Sequence, residues 1–196
     1  MSHEQPHTIA EIFERPVDRA IEGVIKVDAL GPEQIANEIQ EYYPTASIQE
    51  QMLRVLEAYW NAFRAPTNDI GVWVSGFFGA GKSSFAKMLG VLLESRQIQG
   101  RDAIELFSQR LHRSDIPVLL QQIREHMPTR VVVFDILKDQ VAGASEYPVT
   151  TVMYRALLRS FGYAFHNLDL AELELNLEQS GKLEQFKEAY SSLYPD

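Results

Sequence analysis

The sequence contains no cysteine, which excludes a disulfide framework and any thiolate-ligated metal site. It also lacks any apolar run near the ~20 residues that a helix needs to cross a bilayer. The longest candidate, Ile70–Gly81, is short and broken by glycine. Met1–Pro6 is polar and has no apolar signal-peptide core, so a cytoplasmic protein without membrane contact is expected. Positive charge is scarce near the C-terminus. Between Asp169 and Asp196 seven acidic residues meet only Lys182 and Lys187, so that segment carries -5 of the formal net charge of -9. A surface of that sign repels phosphate backbones, which argues against tight nucleic-acid binding by the chain as a whole. Metal-ligand spacing is missing as well. His3 and His7 have no third ligand, and His112, His126 and His166 show no ligand pattern.

What is present is ordinary globular material: 196 residues, 45% hydrophobic and 23% charged, with room for one domain or one domain and a helical annex. Hydrophobic periodicity divides it into elements. A short helix is expected over Ile9–Phe13, a short strand over Gly23–Asp28, and a helix over Glu33–Tyr43 with Pro32 in its first turn. Ser47 and Glu50 have capping-box spacing ahead of a helix with Ile48, Met52, Val55, Leu56, Tyr59, Trp60 and Phe63 on its apolar face. At that spacing Tyr59 and Trp60 read as core residues rather than a base-stacking platform.

Gly71–Ser75 and Val131–Ile136 read as strands buried on both faces. Between them fall a helix with Phe85, Met88, Leu89, Leu92 and Leu93 on one face, and helices near Asp102–Leu111 and Ile116–Met127. Lys138–Tyr147 has loop composition. Three helices near Thr151–Phe161, Leu170–Gln179 and Lys182–Leu193 close the chain, with Gly162 and Gly181 at C-terminal cap positions and Asp169 and Glu172 at capping-box spacing.

The chemistry is concentrated in one segment. Gly76-Phe77-Phe78-Gly79-Ala80-Gly81-Lys82-Ser83 fits G-x-x-x-x-G-K-[ST] at every fixed position, between an apolar strand pattern and an amphipathic helix pattern. A polyphosphate needs many donors converging on a small volume, and backbone N–H groups supply them only where no side chain intrudes. Gly76 and Gly81 allow that path. Lys82 then serves catalysis as a mobile positive charge on the β and γ phosphates of ATP. The Ser83 hydroxyl offers a ligand for Mg²⁺. Gly76 through Ser84 form the expected nucleotide-binding stretch. A dinucleotide fingerprint fits less well, because Ser84 stands where its last glycine belongs.

Hydrolysis needs more. Asp135 closes the Val131–Phe134 run where a magnesium-binding aspartate would stand, or it simply ends a buried strand at the ligand edge. Ile136 follows where many ATPases place a glutamate. The expected fold is therefore α/β, a P-loop NTPase (AAA-like) parallel sheet with flanking helices, incomplete because few strands are in evidence. The expected division is an N-terminal strand-and-helix segment over 1–65 and a nucleotide-binding core with C-terminal helices over 66–196.

Three stretches carry a family resemblance: Ile12–Pro16, Arg19–Asp28 and Pro66–Phe85, joined by Ser180–Lys187. Together they resemble the start of the large P-loop ATPase of BREX bacteriophage-defence systems, the BrxC/PglY type. The most specific part is the phosphate loop with two phenylalanines and the tryptophan strand before it. Ala80 departs from the serine found in many relatives. The resemblance implies an N-terminal piece of a longer AAA-like ATPase. That ATPase acts beside a DNA methyltransferase and a phosphatase-like subunit, self-associates, and reaches DNA indirectly or through other regions. It also suggests that Arg15 and its neighbours fold back beside the phosphate loop. The competing reading is a nucleotide-switched assembly module without hydrolysis of its own.

Overall fold

Proline and polar caps set the helix starts. In the computed structural model, which describes residues 8–12, 16, 31–68, 71–136 and 148–194, a single turn α1 (Ile9–Ile12) precedes α2 (Pro32–Glu41), which has Pro32 in its first turn. Helix α3 (Ala46–Arg64) starts two residues earlier than the capping-box spacing suggests. Its N-cap is Thr45, whose hydroxyl accepts from the Ile48 N–H, and Ser47 lies inside the helix. Helix α4 (Lys82–Leu93) follows the glycine-rich loop. Strands β1 (Gln97–Ile98) and β2 (Arg101–Asp102) form an antiparallel hairpin around Gln99 and Gly100, both at positive φ (51° and 78°), as a two-residue hairpin turn requires.

Asp102 then caps α5 (Ala103–Ser108), and α6 (Asp115–His126) follows. At its start the Arg113 guanidinium hydrogen-bonds the Asp115 carboxylate, holding that carboxyl below its usual range and Arg113 above its own. The C-terminal helices are α7 (Val149–Phe161), α8 (Leu168–Gln179) and α9 (Leu183–Leu193). Gly162 caps α7 in the left-handed conformation, while α8 is capped by Asn167 rather than by the Asp169 and Glu172 pair.

One core unites α2 through α6. Ile35 and Ile39, Met52 and Leu56, Met88 and Leu92, Ile104 and Phe107, and Ile116, Leu120 and Ile123 meet there, with Tyr59 and Trp60 packed at its edge. The buried Gln49 amide pins the front of α3, donating to the Pro44 carbonyl (2.7 Å) and accepting from the His112 N–H (3.1 Å). In the C-terminal helices Val152, Ala156, Leu158 and Ala171 are buried apart from this cluster, and α9 buries no residue.

The expected parallel α/β sheet is not there. Among the described residues the only sheet is the β1–β2 hairpin, and the fold is mostly helical. The Gly71–Ser75 segment lies outside any helix or sheet and is exposed, with Trp73 at 91%. Val131–Asp135 is half-buried and likewise outside any helix or sheet. An apolar run shows that a segment prefers cover; it does not name a strand to pair with, and here the helices close a core without one. The strand expected over Gly23–Asp28 and the loop over Lys138–Tyr147 lie outside the described residues. No helix among the described residues is long and apolar enough to cross a membrane.

Two contacts fix α4. Lys87 is 1% exposed, and its ammonium donates to Glu38 Oε1 of α2 at 2.7 Å, while Glu38 Oε2 is buried with no hydrogen-bond partner. Farther along, a Cβ on Gly90 would stand 2.9 Å from Val131 Cγ1. Removing one member of a buried ion pair strands the other, so Lys87→Met is expected to cost about 3 kcal/mol, and Glu38→Leu added to it should recover part of that loss. Urea unfolding of both variants checks this; a double variant no more stable than Lys87→Met contradicts it. Gly90→Ala should lose about 1 kcal/mol net, because crowding of about 2 kcal/mol against a stiff valine outweighs the helix propensity gained. The loss should vanish in Gly90→Ala/Val131→Ala, read by thermal melts.

Candidate functional site

The motif lies on the N-terminal side of α4. The backbone turns at Phe77–Ala80, where the Ala80 N–H donates to the Phe77 carbonyl (3.2 Å) around Gly79 at φ 79°. Gly81 then enters the helix at φ 83°, a left-handed conformation that would strain any side chain, and the Phe85 N–H closes the first helical bond on the Gly81 carbonyl (2.9 Å). The two ends of the loop meet. A side chain at Gly76 would stand 3.4 Å from Ala80 Cβ and 3.7 Å from Lys82 Cγ.

No side chain caps this helix start. Side chains cap α3, α5 and α8 through Thr45, Asp102 and Asn167, whereas α2, α6, α7 and α9, like α4, start without a side-chain cap. First-turn N–H groups have no intrahelical acceptor, and an oxygen-bearing side chain at the cap usually supplies one. At Gly81 that role is left to a ligand or to water.

Lys82 is half-buried rather than exposed, and its ammonium reaches back over the loop to the Phe77 carbonyl (2.8 Å). That carbonyl thus accepts from both Ala80 and Lys82. Ser83 is exposed at the head of the helix and Ser84 is half-buried. Phe77 and Phe78 project outward, 91% and 101% exposed, so neither packs in the core. The loop therefore brings together an ammonium, a hydroxyl and a helix start without a side-chain cap. These suit an anion with several oxygens and a hard cation held by oxygen donors.

Asp135 sits half-buried four residues after Val131, which lies beside α4 and whose N–H donates to Glu94 Oε1 (3.3 Å). No cluster of three or more metal-ligating side chains occurs among the described residues. Arg15, Asp18, Arg19, His3 and His7 lie outside the described residues. The motif found the loop, but the lysine tether was not readable in it. No family model and no solved structure matches this chain.

Proposed function

We propose that this chain is the ATP-binding N-terminal module of a larger phosphate-loop ATPase, with Mg²⁺ as the accompanying ion. The supporting observation is that the complete G-x-x-x-x-G-K-[ST] match falls on a glycine-turned loop at the start of α4 whose lysine folds back over the loop. Bound there, ATP would accept from the free N–H groups of the first helical turn. Lys82 would exchange the Phe77 carbonyl for phosphate oxygens, a change from a neutral to a charged acceptor that strengthens the hydrogen bond. The Ser83 hydroxyl would hold the magnesium ion, whose positive charge would offset that of the phosphates.

Asp135 fits as a second magnesium contact on reach. Val131 stands beside Gly90, and four residues, if fully extended, would span at most about 13 Å at ~3.3 Å each. Eight helical residues from Gly90 back to Lys82 span about 12 Å. The segment is therefore long enough to carry Asp135 to the level of the loop.

By resemblance, the larger protein would act in the cytoplasm in a multi-subunit bacterial anti-phage complex of the BREX type, beside a methyltransferase and a phosphatase-like subunit. DNA would be reached indirectly or through other regions. Ile136, in place of a glutamate after Asp135, favours binding over turnover in this chain. That supports the second reading, a nucleotide-switched assembly module, for the chain taken alone.

Calorimetry with Mg-ATP tests the site. Lys82→Ala should weaken binding about ten- to a hundredfold, since a charge-assisted hydrogen bond contributes about 1.5–3 kcal/mol, with an unchanged circular dichroism spectrum. Asp135→Asn and Ser83→Ala should weaken Mg-ATP but leave ATP in chelator unaffected. Equal affinity of wild type and Lys82→Ala would refute the loop as the site. Phosphate release under saturating Mg-ATP should stay well below about one per second, the low end of usual enzyme rates. Faster release that depends on Lys82 would show a complete catalytic site.

A further inference from the structure

We propose that Gly90 and Glu94 of α4 clamp Val131 and thereby position Asp135 for the magnesium ion that accompanies ATP. The inference rests on the nucleotide reading of the loop and on Asp135 as a second magnesium contact.

The clamp has two points, both on Val131. At the first, a Cβ on Gly90 would stand 2.9 Å from Val131 Cγ1, closer than such carbons come without a shift, so the valine sits in a notch that glycine leaves open. At the second, Glu94 Oε1 accepts from the Val131 N–H at 3.3 Å. The other oxygen, Glu94 Oε2, pairs with the Arg96 guanidinium, which restrains the carboxylate that makes this bond. The notch sets how closely Val131 approaches α4, and the hydrogen bond sets its height along the helix. Val131 lies outside the apolar cluster that unites α2 through α6, so core packing does not account for the notch. A glycine inside a helix costs stability relative to alanine, and here that cost admits Val131.

The clamp lies on the face of α4 that leads to the metal ligand. At ~100° per residue, Gly90 and Glu94 fall within about 20° of Ser83 around the helix axis, so the three share one stripe. Lys87 lies between them in height, about 40° from Ser83 around the axis, and its ammonium is held by Glu38 of α2. Seven residues separate Ser83 from Gly90, about 10 Å along the axis. The four residues from Val131 to Asp135 reach at most about 13 Å. Laid along the stripe toward the loop, they bring Asp135 level with Ser83 and on its side of the helix. The spare length is about 3 Å, less than one extended residue, so a displacement of Val131 is passed on to Asp135. Magnesium tolerates little of that, because it demands near-octahedral geometry at about 2.0–2.1 Å.

Calorimetry on the full chain, with Mg-ATP and with ATP in chelator, tests the clamp. Gly90→Ala and Glu94→Ala should each weaken Mg-ATP roughly three- to tenfold, the scale of one misplaced hydrogen-bonding contact, and leave ATP in chelator unchanged. Glu94→Gln keeps an oxygen that accepts from the Val131 N–H and should bind Mg-ATP nearly as wild type does. Gly90→Ala/Val131→Ala should recover the affinity that Gly90→Ala loses. Added to Asp135→Asn, neither Gly90→Ala nor Glu94→Ala should weaken Mg-ATP further, because the clamp then has no ligand to position. A loss that is equal with and without magnesium, or that adds to the loss in Asp135→Asn, makes the clamp merely structural and overturns the proposal. So does wild-type affinity in Glu94→Ala, a variant at a partly exposed side chain that stays decisive even where Gly90→Ala fails to fold by circular dichroism. Wild-type Mg-ATP affinity in Asp135→Asn also overturns the clamp, yet leaves the loop standing, since Lys82→Ala tests the loop with ATP in chelator.

Discussion

The ion pair between Lys87 and Glu38 constrains everything around the phosphate loop. A lysine with no exposed side-chain surface is tolerable only beside an opposite charge, and α2 supplies it. That requirement fixes the rotation of α4 about its axis. Met88 and Leu92 then face the core, Gly90 meets Val131, and Lys82, at the start of the same helix, is set at its height and angle. The pair adds little net stability over an apolar substitute, because both charges leave water to make it. Its contribution is to specify which way the helix faces.

Stability and exposure divide the molecule. The α2–α6 body closes a continuous apolar cluster, whereas Trp73, Phe77, Phe78 and the stripe of Phe186, Tyr190 and Tyr194 on α9 stay open to solvent. Single exposed apolar residues need no account, but runs of them mark surfaces that something else covers. The two open regions differ in kind. The stripe on α9 sits on a formed helix. The Gly71–Phe77 segment is exposed and outside any helix or sheet as it leads into the loop.

Local rules in the sequence carried far. Periodicity placed α2, α3, α4 and the closing helices within a few residues, because 3.6-residue repetition needs no partner to be read. Caps were less legible: Ser47 with Glu50 has the right spacing, yet Thr45 takes the hydrogen bond, since backbone geometry and not composition selects the cap. The β1–β2 hairpin went unseen because Gln99, a residue with no turn preference, holds one of its two positive-φ positions. The parallel sheet failed for a different reason. Strand pairing is a relation between distant segments, and a valine-rich run at 131–133 is equally consistent with lying along a helix, where Gly90 leaves room for it. The loop was legible because every fixed position in it answers a local demand, for positive φ, for charge or for a hydroxyl.

The loop is anchored unequally at its two ends, and this bears on how it binds. On the helical side, Gly81, Lys82 and the first bond of α4 are tied to a helix that the core and the Lys87–Glu38 pair hold still. On the other side, Gly71–Ser75 runs into Gly76 exposed and without a strand ladder. A ligand that needs donors from both halves must therefore complete the ordering of the incoming half, at roughly 1–2 kcal/mol for each residue whose backbone becomes fixed. The donors of the first helical turn and Lys82 are already in place, so affinity should be carried by the helical half and limited by the other. Anything that covers Val72 and Trp73 beforehand would meet that ordering cost in advance. Nucleotide would then bind more tightly with no new contact to the phosphates, a coupling that works equally in the opposite direction.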